Sequence, residues 1–261
     1  MNSPRVFLIT AVSGIGAETA RQLAAQGNRL YLIGRDESKC QKLAFQLQQA
    51  GAEAGYTVGD LTDAATAPTA VRGCLERFGR LDALFNVAGI SGRRYGDGPI
   101  HECTEEGWAT TLQTNATTQY RMCREAVRAM LKQERASTGQ RGVILNMSSI
   151  LGVDVDRKYF STVAYAASKG AIIAMSRSMA ASYAPEGIRV NVVAPALVRT
   201  PMSARASEDP AILEYMKVRQ PLLQDVIPVE DVAATCVYLL TDASRAMTGQ
   251  TIQVDGGWSV A

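Results

Sequence analysis

The chain alternates short apolar runs with longer segments in which apolar residues recur every three or four positions. Short runs rich in β-branched and aliphatic residues are typical of buried strands, and the longer periodicity is typical of helices that pack on a sheet. The predicted strands cover residues 5–10, 29–34, 53–58, 82–86, 142–148, 188–194 and 250–254. The predicted helices cover residues 14–26, 37–50, 63–78, 105–133, 164–184, 209–219 and 229–241.

This alternation predicts an α/β fold, a single doubly wound domain over residues 1–261 with a parallel sheet of about seven strands and helices on both faces. The chain has no Pro/Ser-rich linker, low-complexity tract or internal repeat that would divide it. Three irregular segments, 90–100, 152–162 and 199–228, are expected to shape a substrate pocket, because loops at the carboxyl ends of such strands build the ligand crevice.

Residues 199–228 are further expected to form a mobile lid over that pocket. The segment contains three prolines and a short helical pattern at 211–219, in which Ile212, Leu213 and Met216 can face a ligand. A long loop that carries a helix and has few ties to a sheet is often an active-site cover. The alternative is an ordinary surface segment that packs rigidly.

Composition excludes several classes of function. Charged residues make up 20% of the 261-residue chain and the net charge is +2, so neither nucleic acid nor an acidic partner is indicated. The amino terminus has no signal-peptide pattern and the apolar runs are too short for a bilayer, which predicts a cytoplasmic protein with no membrane partner. Five widely spaced cysteines indicate free thiols, and a single histidine argues against a metal site or a Ser-His-Asp triad.

Tyr165 and Lys169 stand four residues apart on a predicted helix and so share one face. An ammonium beneath the phenol favours the phenolate, and lowering a tyrosine pKa from about 10 to about 7 takes roughly 4 kcal/mol. One cation at about 4 Å supplies roughly that amount at an effective dielectric constant of about 20. The pair therefore indicates a phenol used as acid or base, although the spacing alone is also typical of an ordinary helix surface.

A glycine-containing turn follows the first predicted strand and opens the first helix, at Ser13-Gly14-Ile15-Gly16. Such a turn lets the backbone approach a pyrophosphate, whose charge the helix amino terminus stabilises. Arg35 ends the second strand, where NAD-binding folds favour an acidic residue and an arginine instead suits a 2′-phosphate. NADP(H) is therefore favoured over NAD(H). Asp36, next to Arg35, either weakens this preference or is the cap of the next helix.

The chain resembles the short-chain dehydrogenase/reductase family along nearly its whole length. The matching segments are the glycine turn, Gly59-Asp60-Leu61, Asn86-Val87-Ala88-Gly89, Asn115, Asn146-Met147-Ser148-Ser149, Tyr165 to Lys169, Asn191 to Pro195, Thr248-Gly249-Gln250 and Val254-Asp255-Gly256-Gly257.

The resemblance implies a Rossmann domain and interconversion of a secondary alcohol and a ketone. It implies that Asn115, Ser149, Tyr165 and Lys169 are catalytic, that Asn115 holds a water linked to Lys169, and that the protein is a homotetramer. It also implies that the cofactor contacts Ser13, Gly14, Ile15, Gly16, Arg35, Asp60, Leu61, Asn86, Ala88, Gly89, Tyr165, Lys169, Pro195, Val198 and Thr200.

The sequence departs from the family pattern at the first glycine. Without a gap the family's Thr-Gly falls on Ile9-Thr10, and with a one-residue deletion it falls on Thr10-Ala11, so that glycine is missing in either alignment. This leaves open a catalytically weak sensor that retained the fold, although the four catalytic residues favour an enzyme. Residues 153–162 form a longer connection than usual and are expected to bulge over the site. Basic residues in the pocket-forming loops, which either meet an anionic substrate or are solvated, are Arg93, Arg94, Arg157 and Lys158.

Overall fold

The computed structural model describes residues 4–261, and the seven strands in that part of the chain join in one parallel sheet. The strands are β1 (Val6–Ile9), β2 (Arg29–Gly34), β3 (Ala54–Val58), β4 (Ala83–Asn86), β5 (Gly142–Met147), β6 (Ile188–Pro195) and β7 (Thr251–Val254). Their spatial order is β3-β2-β1-β4-β5-β6-β7. The prediction of a doubly wound parallel sheet is confirmed, and the order reverses between β1 and β4.

The helices are α1 (Gly14–Ala25), α2 (Glu37–Gln49), α3 (Thr66–Phe78), α4 (Glu105–Leu112), α5 (Thr118–Met130), α6 (Val163–Tyr183), α7 (Ala204–Glu208), α8 (Pro210–Arg219) and α9 (Val229–Leu240). Within residues 4–261, none of them is both long and apolar enough to cross a membrane.

Both faces of the sheet are covered, and the alternation of side chains along β1 shows how. Phe7 and Ile9 point into a core shared with α1, α2 and α9, whereas Val6 and Leu8 point into a second core shared with α3, α5 and α6. Because every strand at the centre is buried on two sides, β5 and β6 have no exposed residue. The carboxyl ends of β1 and β4 therefore open on a crevice between two helical layers.

The single helix predicted over residues 105–133 is interrupted. A π-helical turn at Gln113–Thr117 separates α4 from α5, and the amide of Thr118 donates to the carbonyl of Gln113. A π turn inserts one extra residue without changing the amphipathic pattern on either side, so periodicity does not reveal it. It turns Asn115, which is fully buried, toward the loop that follows β4.

Residues 199–228 are tied to the sheet more firmly than expected. The buried side chain of Gln220 accepts a hydrogen bond from the amide of Leu197 at 2.8 Å and donates to the carbonyl of Asp225 at 2.7 Å. Val198 and Ile227 form a parallel bridge. The helical pattern expected at 211–219 is present as α8, but Ile212 and Met216 pack in a third apolar cluster with Ile150 and Trp258 and do not line the cavity, which corrects the expectation.

Candidate active site

A cavity of about 460 Å³ lies at the carboxyl ends of β1, β2, β4, β5 and β6. All three irregular segments contribute to its wall, as predicted. Most of the predicted site residues line it, namely Ser13, Gly14, Ile15, Arg35, Asp60, Leu61, Ala88, Gly89, Ser149, Tyr165, Lys169, Pro195, Val198 and Thr200. Gly16, Asn86 and Asn115 lie behind the wall.

The turn between β1 and α1 forms without the missing glycine. Thr10 accepts hydrogen bonds on its hydroxyl from the amides of Val87, at 2.9 Å, and Ala88, at 3.2 Å, which joins the ends of β1 and β4. Ala11 does not have positive φ, whereas Gly14 has φ +53°. A Cβ at Gly16 would lie 2.9 Å from a methyl carbon of Val87, so this glycine serves close packing behind the cavity wall.

One end of the cavity carries the two charged residues predicted at the adenosine side. Arg35 Nη1 lies 3.7 Å from Asp60 Oδ2, and both side chains are largely exposed. Burial raises the pKa of Asp60, but hydrogen bonds from Thr62 and the charge of Arg35 outweigh it, and the pKa lies below its ordinary value. Asp36 accepts from the amide of Lys39 at 3.1 Å, which makes it the cap of α2.

The proposed catalytic side chains meet at the other half of the cavity. Ser149 has extended backbone at the end of β5, and its hydroxyl accepts from the amide of Leu151 at 3.2 Å. Tyr165 and Lys169 share one face of α6, with Lys169 Nζ 5.4 Å from the centre of the Tyr165 ring. The ammonium donates to the carbonyl of Met147 at 3.1 Å, which holds it against the end of β5.

The pKa of Tyr165 moves in the opposite direction to the expectation. Burial raises the pKa of the phenol above its ordinary value, and hydrogen bonding with Ser149 offsets only part of this rise. Burial also lowers the pKa of Lys169 to about 8. Because both groups are buried, the cost of holding either charge exceeds their mutual attraction in this arrangement. The expectation that Lys169 lowers the pKa of Tyr165 to about 7 is therefore wrong for the side chains as the structure places them.

Asn115 acts on the backbone around the cavity. Its amide group donates to the carbonyl of Ile90 at 3.0 Å and to the Ser168 hydroxyl at 3.1 Å, and its oxygen accepts from the amide of Ile90 at 2.8 Å. Three of the four hydrogen bonds open to an asparagine side chain are thus made within the protein. Its side chain fixes the loop that carries Gly89, beside Lys169, and retains one acceptor position for the predicted water.

The side chain of Asn86 does not line the cavity, so the predicted cofactor contact of this residue is left to its backbone. The side chain is buried, and its amide group donates to Asn146 Oδ1 at 2.9 Å and lies 3.2 Å from the sulfur of Cys123. Asn146 in turn donates to the Ser176 hydroxyl at 2.9 Å. This buried polar chain joins β4, β5 and α6 beneath the site.

Asp97 is a further residue that shapes the site and that sequence reasoning missed. Its carboxylate is buried and accepts hydrogen bonds from the amides of Ala164, at 3.0 Å, and Tyr165, at 2.9 Å. These amides belong to the first turn of α6, where an acceptor with negative charge is stabilising. The partners are more than 60 residues apart in the chain. The one signal in the sequence was the presence of an acidic residue in a Gly-rich loop.

The wall next to the catalytic side chains is partly apolar. Phe160 packs on Trp258 with ring centres 5.8 Å apart, and both line the cavity together with Leu151 and Ala206. The connection at 153–162 folds over this part of the cavity, as expected. It is held by Asp156, which accepts from three backbone amides of its own loop and from the Tyr215 hydroxyl of α8 at 2.5 Å.

Known proteins resemble this chain over almost its full length. A family profile described as Enoyl-(Acyl carrier protein) reductase matches residues 9–259. The A-factor type gamma-butyrolactone 1'-reductase (1S-forming) of Streptomyces virginiae is 33% identical over 260 residues, which are 98% of this chain and 96% of that relative. The galactitol 2-dehydrogenase (L-tagatose-forming) of Cereibacter sphaeroides is 34% identical over 253 residues, 96% of this chain and 92% of that relative.

A solved structure shows the same fold with a nucleotide. A variant of actinorhodin polyketide ketoreductase with NADPH is 28% identical, with a TM-score of 0.86, and the match covers 99% of this chain and 98% of that chain. Sequence family, strand order and cavity position all agree. The chain belongs to the short-chain dehydrogenase/reductase family, and it is an oxidoreductase with an NAD(P)-binding Rossmann fold that acts on CH–OH and C=O groups.

Proposed function

We propose that the protein interconverts a secondary alcohol and a ketone with NADP(H), using Tyr165 as the general acid and base. The observation that carries this proposal is the meeting of Ser149, Tyr165 and Lys169 on one cavity wall, at the end of β5. The remainder of the cavity extends to the turn that opens α1.

The residues along that extension fit a dinucleotide. Gly14 and the amino terminus of α1 suit a pyrophosphate, because these residues line the cavity and the Ser13 side chain does not cap the amides of the first turn. Ala88 and Gly89 border the middle, and Pro195, Val198 and Thr200 border the catalytic end. When bound, the nicotinamide cofactor supplies or accepts the hydride.

Each catalytic side chain has a distinct task in the proposal. Ser149 donates a hydrogen bond to the substrate oxygen and orients the carbonyl. Tyr165, whose raised pKa keeps the phenol protonated at neutral pH, gives its proton to that oxygen during reduction and accepts one in the reverse direction. Lys169 places positive charge beside the ring, and Asn115 fixes the loop at Ile90 against α6.

The preference for NADP(H) rests on the residues at the adenosine end. Arg35 lies at the cavity rim, where its guanidinium is able to contact a 2′-phosphate. Asp36, the acidic residue next to it, is engaged as the cap of α2 and by Lys39 at 3.3 Å. A negatively charged ribose substituent would therefore meet the exposed guanidinium of Arg35, whose contact with Asp60 is long, at 3.7 Å.

The general acid is tested with Tyr165→Phe, which removes the proton and keeps the ring. We expect turnover of a ketone panel, followed by absorbance of NADPH, to fall by about 10³-fold, while NADPH affinity changes little. Tyr238→Phe, a change at an exposed tyrosine of α9, serves as the control. Activity of Tyr165→Phe within a few-fold of wild type excludes the assigned role, and NADPH binding by a wild type that turns over no carbonyl favours the sensor function.

Cofactor choice is tested by titrating NADPH and NADH against wild type and Arg35→Asp. Loss of one charge-assisted contact is worth about tenfold or more in affinity, so the variant should lose its preference for NADPH. Arg72→Asp, at an exposed position on α3, controls for the change in net charge. A wild type that binds NADH more tightly than NADPH contradicts the proposed preference.

A further inference from the structure

Two arginines border the catalytic half of the cavity, and neither has a carboxylate partner among residues 4–261. Arg93 lies in the 3₁₀ turn that follows β4, and Arg205 lies in α7. The ion pairs in this part of the chain include neither of them. Arg35, at the other end of the cavity, faces Asp60 and thus differs from both.

Both guanidinium groups line the same cavity, and the charge of Arg205 reaches Arg93. Arg93 Nη2 donates to the carbonyl of Tyr159 at 2.6 Å, which anchors its guanidinium beside the 153–162 loop. Burial and the nearby charge of Arg205 lower the pKa of Arg93, while the charge of Asp97 acts in the opposite direction. The rim therefore holds two positive charges that repel one another, and an anion between them would relieve that repulsion.

The net charge around the rim indicates the charge of an anion that would fit there. The carboxylate of Asp97 is near enough to affect Arg93, but both of its oxygens accept from the first turn of α6. Two guanidinium groups and one carboxylate leave a single positive charge, which matches a monoanion better than a phosphate dianion. The adjoining wall is apolar, with Leu151, Phe160, Ala206 and Trp258.

We propose that the substrate is a ketone or alcohol with a carboxylate on an otherwise apolar body, and that Arg93 and Arg205 bind this carboxylate. The proposal rests on the function proposed above and adds the substrate class. Of the four basic residues singled out in the sequence, only Arg93 lines the cavity. Arg94 instead packs on the ring of Tyr95, with its guanidinium carbon 4.7 Å from the ring centre.

The test compares keto acids with their methyl esters, which share the ketone and the body and differ in charge. The probes are 4-oxocyclohexanecarboxylate, 4-oxopentanoate and 4-acetylbenzoate, each beside its ester. We expect at least one acid to exceed its ester about tenfold in kcat/KM, with the difference in KM. The advantage should shrink as salt rises, because both arginines are exposed.

Variants assign the effect to the two side chains. Arg93→Gln and Arg205→Gln should each lower kcat/KM for that acid about tenfold and leave the ester unchanged. The double variant should treat acid and ester alike, and Arg94→Gln should behave as wild type. Equal kcat/KM for acid and ester in every pair overturns the proposal, as does an equal loss on both in the Gln variants. Weaker NADPH binding with an unchanged acid-to-ester ratio would assign the arginines to the cofactor and overturn it as well.

Calorimetric titration of each probe into the protein with NADP⁺ tests the carboxylate site separately from the proposed alcohol–ketone function. If no ketone is turned over, the alcohol–ketone function fails, yet the affinities of acid and ester still measure the anion site. Tighter binding of an acid than of its ester, lost in the double variant, supports the site. No difference in any pair, or no binding of any acid, overturns it.

Discussion

Lys169 carries its ammonium into the interior, and among residues 4–261 no carboxylate lies within ion-pair distance of it. Burial lowers its pKa to about 8 from an ordinary value of 10.5, which corresponds to a cost of about 3 kcal/mol at neutral pH. The hydrogen bond to Met147 returns about 1 kcal/mol of this cost. We therefore expect Lys169→Met to raise the free energy of unfolding by about 2 kcal/mol at pH 7.

The pH dependence of this gain has a definite sign. Below pH 8 the lysine is charged in both the folded and the unfolded protein, so the full cost is present. Between about pH 8 and 10.5 the folded protein loses this proton first, and the cost disappears as pH rises. Denaturant titrations at pH 7 and 10 should show the advantage of Lys169→Met shrinking, and Lys132→Met, at an exposed lysine, is the control. An equal advantage at both pH values would show that the buried charge is not its source.

Prediction from sequence at this scale succeeded where a residue acts within a local pattern. The i, i+4 spacing placed Tyr165 and Lys169 on one face of α6, and the strand-end position placed Ser149 beside them. It did not reveal the side-chain partners of Asn86 and Asp97, because these partners lie on elements far away in the chain. No local pattern states which buried polar group a distant backbone amide will meet.

At the level of elements, the first turn of α6 depends on Asp97. Asparagine at this position keeps the shape but offers one acceptor oxygen in place of two, so one of the bonds to Ala164 and Tyr165 is lost. We expect Asp97→Asn to lower stability by about 1 kcal/mol and kcat by about tenfold, with NADPH affinity unchanged, because the backbone that carries the Tyr165 phenol shifts.

Asp82→Asn is the matched control for that variant. Asp82 is also buried and accepts from the amide of Val6 at 2.9 Å. It directly precedes β4 and so lies at the amino ends of the strands, away from the cavity at their carboxyl ends. It should lose comparable stability in thermal denaturation and retain its kcat. If both variants keep full kcat, Asp97 is structural only and does not position the general acid.

The lid prediction is narrowed by the structure to the first part of residues 199–228. Met202 and Ala206 line the cavity, whereas the far end is fixed by Gln220 and by the bridge from Val198 to Ile227. We expect hydrogen exchange in 200–208 to slow when NADPH and a substrate bind, and exchange at 220–227 to be slow throughout. Strong and equal protection of 200–208 in both states would mean that no lid closes.

The π turn between α4 and α5 shows why an element can be predicted without its interruption. Apolar residues keep helical spacing on both sides of Gln113–Thr117, so the sequence indicates one continuous helix. The interruption is favoured by contacts that Asn115 makes with Ile90 and Ser168, from two other elements. Such tertiary contacts override the local preference.

For the whole molecule, alternation of strand and helix patterns predicted the architecture and nearly all element boundaries. The parallel sheet follows because each helix returns the chain to the same edge, and burial on two faces explains the continuous apolar runs of β5 and β6. Periodicity contains no information on which strands are neighbours, so the order with β1 beside β4 came only with the structure.

The exposed apolar side chains of α4 and α5 bear on the expected homotetramer. Trp108 is 39% exposed, Tyr120 48% and Leu131, just after α5, 39%. Large apolar groups exposed on neighbouring helices are typical of an interface between identical subunits, where each side presents the same surface. We expect light scattering at micromolar concentration to give the mass of a tetramer of this 28.0 kDa chain.

Tyr120→Glu should convert the tetramer to a smaller species because the charge would be buried without a partner. Phe45→Glu, at a residue of α2 that is 58% exposed on another face, should leave the tetramer intact. A wild-type protein that scatters as a monomer would contradict the prediction, and an unchanged mass for Tyr120→Glu would place the interface elsewhere.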